Sequence, residues 1–287
     1  SMLAESIHSV ADTANQGLLL LGGRQSRRVA DQEHQFGYGR ERYFWSFVVA
    51  LVLFSLGGLF SIYEGISKIL HPHELTSIGW AIAVLLVAIV LEGFSFRTAI
   101  VESRKVKGER KWVEFVRTSR SPELPVVLLE DAGALCGLFL ALVGVGLYVV
   151  TGNVLWDALG TLSIGVLLVA IAIFLTIEMK SLLIGEAALE SHITAINEAL
   201  ASSPHVIRII DLRTQHIGPE ELLVGAKVEF TETLNSPQVA AAIDEAEAAI
   251  RKAVPIASRI YVEPDVWKEG HIPVPKVFSG PDEGAHG

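Results

Sequence analysis

The sequence has little charge and almost no cysteine. Only 19% of its 287 residues are Asp, Glu, Lys or Arg, while 51% are hydrophobic and the mean hydropathy is +0.44. That balance excludes an ordinary soluble domain of this length. A single cysteine, Cys136, excludes an internal disulfide framework, and its place in an apolar run predicts a buried packing thiol. The first residues lack a basic n-region, so no cleavable signal peptide is expected. There is no basic domain and no nucleic-acid-binding motif, so no nucleic-acid partner is expected. No serine–histidine–acid set or cofactor fingerprint occurs either. The Gly-rich FGYGRER, residues 36–42, lacks the Lys-Ser/Thr and the preceding strand of a phosphate loop. An enzyme is therefore not expected.

What the chain does have is long apolar runs. Five stand out, at Met2–Gly22, Trp45–Ile66, Trp80–Val101, Leu124–Val150 and Val154–Ile177. Each is near the ~20 residues that cross a hydrocarbon core as a helix. None alternates like a barrel strand. The loops fix their orientation. Arg24, Arg27, Arg28, Arg40 and Arg42 lie between the first two runs, and Arg104, Lys105, Lys107, Arg110, Lys111, Arg117 and Arg120 between the third and fourth. The other two connections carry no Lys or Arg. The positive-inside rule puts both basic loops and the C-terminal region in the cytoplasm. The chain then starts on the outer side, which leads us to expect a further helix before residue 1.

After Lys180 the pattern changes to that of a small folded domain. Glu186–Ala201 reads as an amphipathic helix, Val206–Gln215 and Leu222–Thr231 as strands joined at Gly218-Pro219, and Arg259–Val262 as a short last strand. Between them, Pro237–Ala253 reads as a helix with Ser236 as its N-cap. The expected organisation is a membrane domain over 1–180, an α-β-β-α-β domain over 181–265 and a Pro/Gly-rich flexible tail over 266–287.

Polar residues inside the apolar runs carry the chemistry. On a helix Glu5, His8, Asp12 and Asn15 share one face. His8 and Asp12, four apart, can hold one cation together. Glu130 and Asp131 are adjacent, so ~100° separates them around a helix and they cannot both face one site. Asp131 is the candidate ligand, with Glu130 turned to a neighbouring helix or the cytoplasmic mouth. Intramembrane ionisable groups mark ion paths or binding sites. An imidazole with carboxylates suits Zn²⁺ and its first-row neighbours. A carboxylate in low dielectric favours its protonated form, and a bound dication its ionised form, so one site can hold either protons or metal. Glu64 and Asp157 fall near helix ends, where caps or surface positions are expected.

Several of these stretches together resemble one family. SMLAESIHSVADTANQ resembles the second membrane helix of the cation diffusion facilitators (solute-carrier family 30), and HQFGYGRERYFW the loop that follows it. LLEDAGALCGLFLALVG resembles the family's fifth helix, LWDALGTLSIGVLL its sixth, and IIDLRTQHIGPEELLVGAKVEF its cytoplasmic domain. The HS-x-x-DT-x-NQ and LLED runs are similar to those of the zinc transporter nine-like branch. The resemblance implies a fold and an activity. The fold is an α-helical membrane bundle, with five transmembrane helices in this chain and the family's first helix absent, followed by a small α+β ferredoxin/metallochaperone-like domain. The activity is that of a homodimeric, proton-coupled antiporter in the lipid bilayer, with Zn²⁺ as transported substrate and protons as counter-ion.

The resemblance also implies a site. The helix-two ligand pair corresponds to His8 and Asp12, and the helix-five pair to Val127 and Asp131. Valine cannot bind metal, so the fourth ligand falls to Asn15, Glu5, Glu130 or water. A second family site corresponds to Asp31 and His34, with Tyr38 where a histidine is usual. The positions aligned with a binuclear zinc site of the soluble domain are Ile210, Lys227, Tyr261 and Glu263, and that site is expected to be absent. His205, His216 and His271 are then expected on the surface. The same ligands are compatible with Mn²⁺, Co²⁺, Ni²⁺ or Fe²⁺, and with a non-transporting membrane metal sensor. The expected setting is a multi-pass protein of the plasma membrane whose C-terminal domain is cytoplasmic.

Overall fold

The structure is a computed structural model that describes residues 2–72 and 77–269, with side chains from residue 14 onward. The chain divides into two compact units at Ile184/Gly185.

The first unit is helical throughout. It comprises α1 (Met2–Gln25), α2 (Glu41–Val52), a π-helical stretch (Leu53–Leu59), α3 (Phe60–Leu70), α4 (Ile78–Lys107), α5 (Trp112–Thr118), α6 (Glu123–Thr151) and α7 (Leu155–Ile184). Among the described residues, four helices are long and apolar enough to cross a membrane: Glu41–Leu70, Ile78–Lys107, Glu123–Thr151 and Leu155–Ile184. The expected count of five spans is thus met for four. The remaining segment, α1, is a helix of 24 residues whose side chains before residue 14 lie outside the described ones.

Close helix packing follows from where the glycines fall. α3 and α7 lie so near each other that a Cβ on Gly65 would sit 2.8 Å from the Leu162 nitrogen, and one on Gly165 2.6 Å from the Ile62 nitrogen. Only a residue without a side chain fits such an approach. Leu19, Val49, Leu53, Val126, Leu168 and Leu175 fill the space among α1, α2, α6 and α7. Arg42 and Glu123 form a two-pronged ion pair that ties the starts of α2 and α6, with Nη2 3.0 Å from Oε2. Cys136, expected inside, is exposed. Only part of α6 is covered by neighbouring helices, so hydropathy alone does not tell which apolar positions are buried.

The second unit runs α8 (Glu190–Ala201), β1 (Val206–Gly218), β2 (Glu221–Phe230), α9 (Ser236–Ala253) and β3 (Ala257–Pro264). The sheet order is β1-β2-β3, with β1 antiparallel and β3 parallel to β2. β2 alternates strictly, and its buried Leu222, Val224, Ala226 and Val228 meet Ile196 and Leu200 of α8 and Ala246 and Ile250 of α9.

Three details differ from the sequence expectation. α8 starts at Glu190 rather than 186, because the preceding backbone bonds to β1: His216 N–H donates to Glu186 O at 2.8 Å and Ala188 N–H to Thr214 Oγ1 at 3.0 Å. Asn235, not Ser236, caps α9. Its side chain accepts from Gln238 N–H at 3.1 Å, while the Gln238 side chain accepts from Asn235 N–H at 2.9 Å. His216 is buried at 1% exposure, with Nδ1 3.3 Å from Gly218 O, where a surface histidine was expected. His205 stands at a positive φ of 70° just before β1, and His271 lies outside the described residues.

Candidate metal centre in the membrane domain

The α1 backbone is helical through Glu5, His8, Asp12 and Asn15, so the spacing that puts them on one face is present. The side chains of Glu5, His8 and Asp12 lie outside the described residues. Asn15 is described, and it is fully buried. Its Nδ2 donates to Glu130 Oε1 of α6 at 2.5 Å, across 115 positions of sequence. Its Oδ1 has no hydrogen-bond partner among the described residues. A buried carbonyl without a donor calls for one, or for a cation.

The two adjacent acids of α6 are both buried at 6% exposure and are reached from different helices. Glu130 faces α1 through Asn15. Asp131 is reached from α4, where the Ser95 hydroxyl donates to its Oδ2 at 2.9 Å. The ~100° between neighbouring helical positions produces this divergence. Val127 is a half-buried apolar residue one turn before Asp131. Sequence reasoning did not find Ser95. Lone serines in apolar helices carry no periodic signal, and nothing local ties residue 95 to residue 131.

Glu64 and Asp157, expected as caps or surface positions, belong to a second polar group. Lys68 of α3 lies 2.9 Å from Asp157 Oδ2 and 3.3 Å from Glu64 Oε1, and it donates to Thr161 Oγ1 at 3.0 Å. Asp157 is buried at 8% exposure, so it is an interhelical ion-pair partner rather than a surface cap. The i,i+4 spacing of Glu64 and Lys68 was the available signal. Glu64, Lys68, Asp157 and Thr161, with Gly133 and Gly137 of α6, line a cavity of about 140 Å³.

The loop between α1 and α2 brings Asp31, His34 and Tyr38 together as a turn. Asp31 Oδ1 accepts from the N–H of Glu33 at 3.0 Å and of His34 at 2.7 Å, and Oδ2 accepts from the Tyr38 hydroxyl at 2.6 Å. The Tyr38 hydroxyl and the His34 N–H hold the Asp31 carboxyl below its ordinary value. His34 Nδ1 is 3.7 Å from Asp31 and its ring lies 4.5 Å from that of Tyr38. In the second unit, Lys227 pairs with Glu263 at 3.1 Å and with Asp265 at 3.5 Å, so an ammonium stands among the aligned zinc-site positions. Among the described residues no three His, Cys, Asp or Glu side chains gather as a metal cluster.

Comparison with known proteins supplies the context for this arrangement. The cation efflux transmembrane domain model matches residues 1–184. The mitochondrial proton-coupled zinc antiporter SLC30A9 of Xenopus laevis is 38% identical over 232 residues, 80% of this chain and 42% of that protein. The chain thus spans about two fifths of the length of that relative. The cation-efflux pump FieF of Escherichia coli O127:H6 is 26% identical over 255 residues, 89% of this chain and 80% of that protein. Among solved structures, MamM-CTD 215-293 aligns with 28% of this chain and 100% of its own length, at 18% identity and a TM-score of 0.26. The plasma-membrane location expected from the sequence is corrected here. The zinc antiporters of Xenopus laevis, Mus musculus and Homo sapiens that align with this chain are all named mitochondrial. Hydropathy and loop charge tell which side of a bilayer a loop faces, not which bilayer it is.

Proposed function

Since this chain belongs to the cation efflux family, the cation diffusion facilitators, we propose that it exchanges Zn²⁺ for protons across a membrane by alternating access. The names of the aligned antiporters support both the metal and the coupling, and they support a mitochondrial membrane as the setting. In this reading His8 and Asp12 of α1 and Asp131 of α6 hold the metal. Asn15 supplies the fourth position through its Oδ1, in place of the imidazole that Val127 cannot provide. Glu130 acts on Asn15 rather than on the metal. By accepting from Nδ2 it fixes which way the amide points, and so keeps the carbonyl oxygen available.

The observation that carries this reading is the buried Asn15 Oδ1 without a donor, on the same helix face as His8 and Asp12. Metal entering from the side of the basic loops displaces protons from the same side chains. The helices then rearrange, the site opens to the far side, and protons take the place of the ion. The second unit pairs two copies of the chain, so the working form is a homodimer.

The experiment is Zn²⁺ flux into liposomes under an imposed pH gradient, with the full-length protein. Asp12→Ala and Asp131→Ala should each reduce flux to the level of empty vesicles. Normal flux in either variant would remove the assignment.

A further inference from the structure

We propose that Ser95 is a positioning residue for Asp131, which commits one carboxylate oxygen to α4 and thereby favours a small tetrahedral dication over a larger one. The inference rests on Asp131 being a metal ligand, as proposed above.

The argument begins with what hydroxyls in this membrane domain otherwise do. Ser55, Thr98 and Ser163 each donate to the carbonyl four residues back, at 2.8 Å, 3.0 Å and 2.8 Å. That is the usual arrangement for Ser and Thr in an apolar helix, because it satisfies the donor locally. Ser95 does otherwise. Its hydroxyl donates across to Asp131 Oδ2 at 2.9 Å, from α4 to α6. A serine hydroxyl has a single proton to donate. It is placed on one oxygen of a buried carboxylate.

The consequence is geometric. A carboxylate can meet a metal through one oxygen or through both. Zn²⁺ is satisfied by four ligands, each giving one atom at ~2.0–2.2 Å for oxygen. Mn²⁺ prefers octahedral coordination by about six oxygens, and a carboxylate able to offer both of its oxygens can fill two of those positions. A serine bond to Oδ2 orients the group and competes with any ion for that oxygen. Outer hydrogen bonds of this kind act on affinity by holding the ligand in place before the ion arrives. A purely structural serine would instead anchor α4 to α6, and its loss would weaken every ion equally.

The test is equilibrium titration of the full-length protein with Zn²⁺ and, separately, with Mn²⁺, with thermal unfolding as a control. Ser95→Ala should weaken Zn²⁺ binding about tenfold or more, the range seen for outer-shell partners, while Mn²⁺ binding holds or tightens. Ser95→Thr, which keeps the hydroxyl, should restore the unaltered Zn²⁺/Mn²⁺ ratio. An equal loss for both ions in Ser95→Ala, or an unchanged ratio, overturns the proposal while leaving Asp131 as a ligand. Asp131→Asn separates the two levels. If it binds Zn²⁺ like the unaltered protein, the ligand assignment falls and this inference falls with it.

Discussion

Lys68 Nζ lies 2.9 Å from Asp157 Oδ2, joining the ends of α3 and α7 inside an apolar bundle. The side chains are 20% and 10% exposed, so solvent screens the pair only in part. Lys68→Met takes the cation from Asp157 and leaves a buried carboxylate without its ion partner. We expect a loss of about 2–3 kcal/mol, at the lower end for a buried pair because of the residual exposure. Thermal unfolding in detergent reads this directly. Adding Asp157→Asn to Lys68→Met should recover part of the loss, since the orphaned charge then goes too. A double variant less stable than Lys68→Met alone would mean that the pair is not what stabilises these helix ends.

The bond between Asn15 and Glu130 predicts a different pattern. Asn15→Ala removes the donor to Glu130 and the buried carbonyl together. A stability loss of about 1.5–3 kcal/mol is expected for the loss of a buried hydrogen bond to a charged group. Zn²⁺ affinity should fall as well. Asn15→Asp keeps an oxygen at the same place but turns a donor into an acceptor facing Glu130. It should bind metal better than Asn15→Ala while being no more stable. Equal metal affinity in the two variants would count against Asn15 as a ligand.

His192 gives the second unit a pH dependence. Burial holds its imidazole below the ordinary value of 6.5, because the interior disfavours the charged form. The folded value is the depressed one, so the unfolded chain takes up the proton first as pH falls. The contribution to stability is whole above about 6.5 and declines as pH drops toward the folded value. The protection factors of α8, meaning observed exchange referred to the intrinsic rate at each pH, should therefore fall as pH is lowered through about 6.5. His192→Gln should flatten that change. Identical protection of α8 above and below that pH would dispose of the idea.

How much of this was legible in the sequence depended on the length scale of the signal. The runs around Trp45, Trp80, Leu124 and Leu155 are hydrophobic over a whole bilayer thickness, and each is a helix here. The alternation of Leu222, Val224, Ala226 and Val228 gave the central strand in the same way. The partners of the buried acids left no such trace. Ser95 and Asp131 are 36 positions apart, and Asn15 and Glu130 are 115 apart. A donor that meets an acid only in the folded state produces no periodicity. The start of α8 was misplaced where backbone groups bond across the fold: the Glu186 C=O and the Ala188 N–H are taken by β1. The π-helical turn at Leu53–Leu59 was invisible for a related reason. Its apolar composition suits an α-helix equally well.

The approach of α3 to α7 gives a prediction with a built-in control. A Cβ on Gly165 would lie 2.6 Å from the Ile62 nitrogen and 3.0 Å from the Gly58 oxygen. Both are backbone atoms, so no rotamer change can make room. Gly165→Ala must push the two helices apart, at a cost of about 1–3 kcal/mol or more as for other overpacked sites. Gly146 of α6 has nothing within 4 Å of its would-be Cβ. Gly146→Ala should be neutral, or stabilising by up to ~1 kcal/mol from helix propensity alone. Thermal unfolding of the two variants side by side measures the contrast. If Gly165→Ala unfolds at the same temperature as Gly146→Ala, the two helices are not in backbone contact, and the Lys68–Asp157 pair at their ends would have no close-packed frame to hold it.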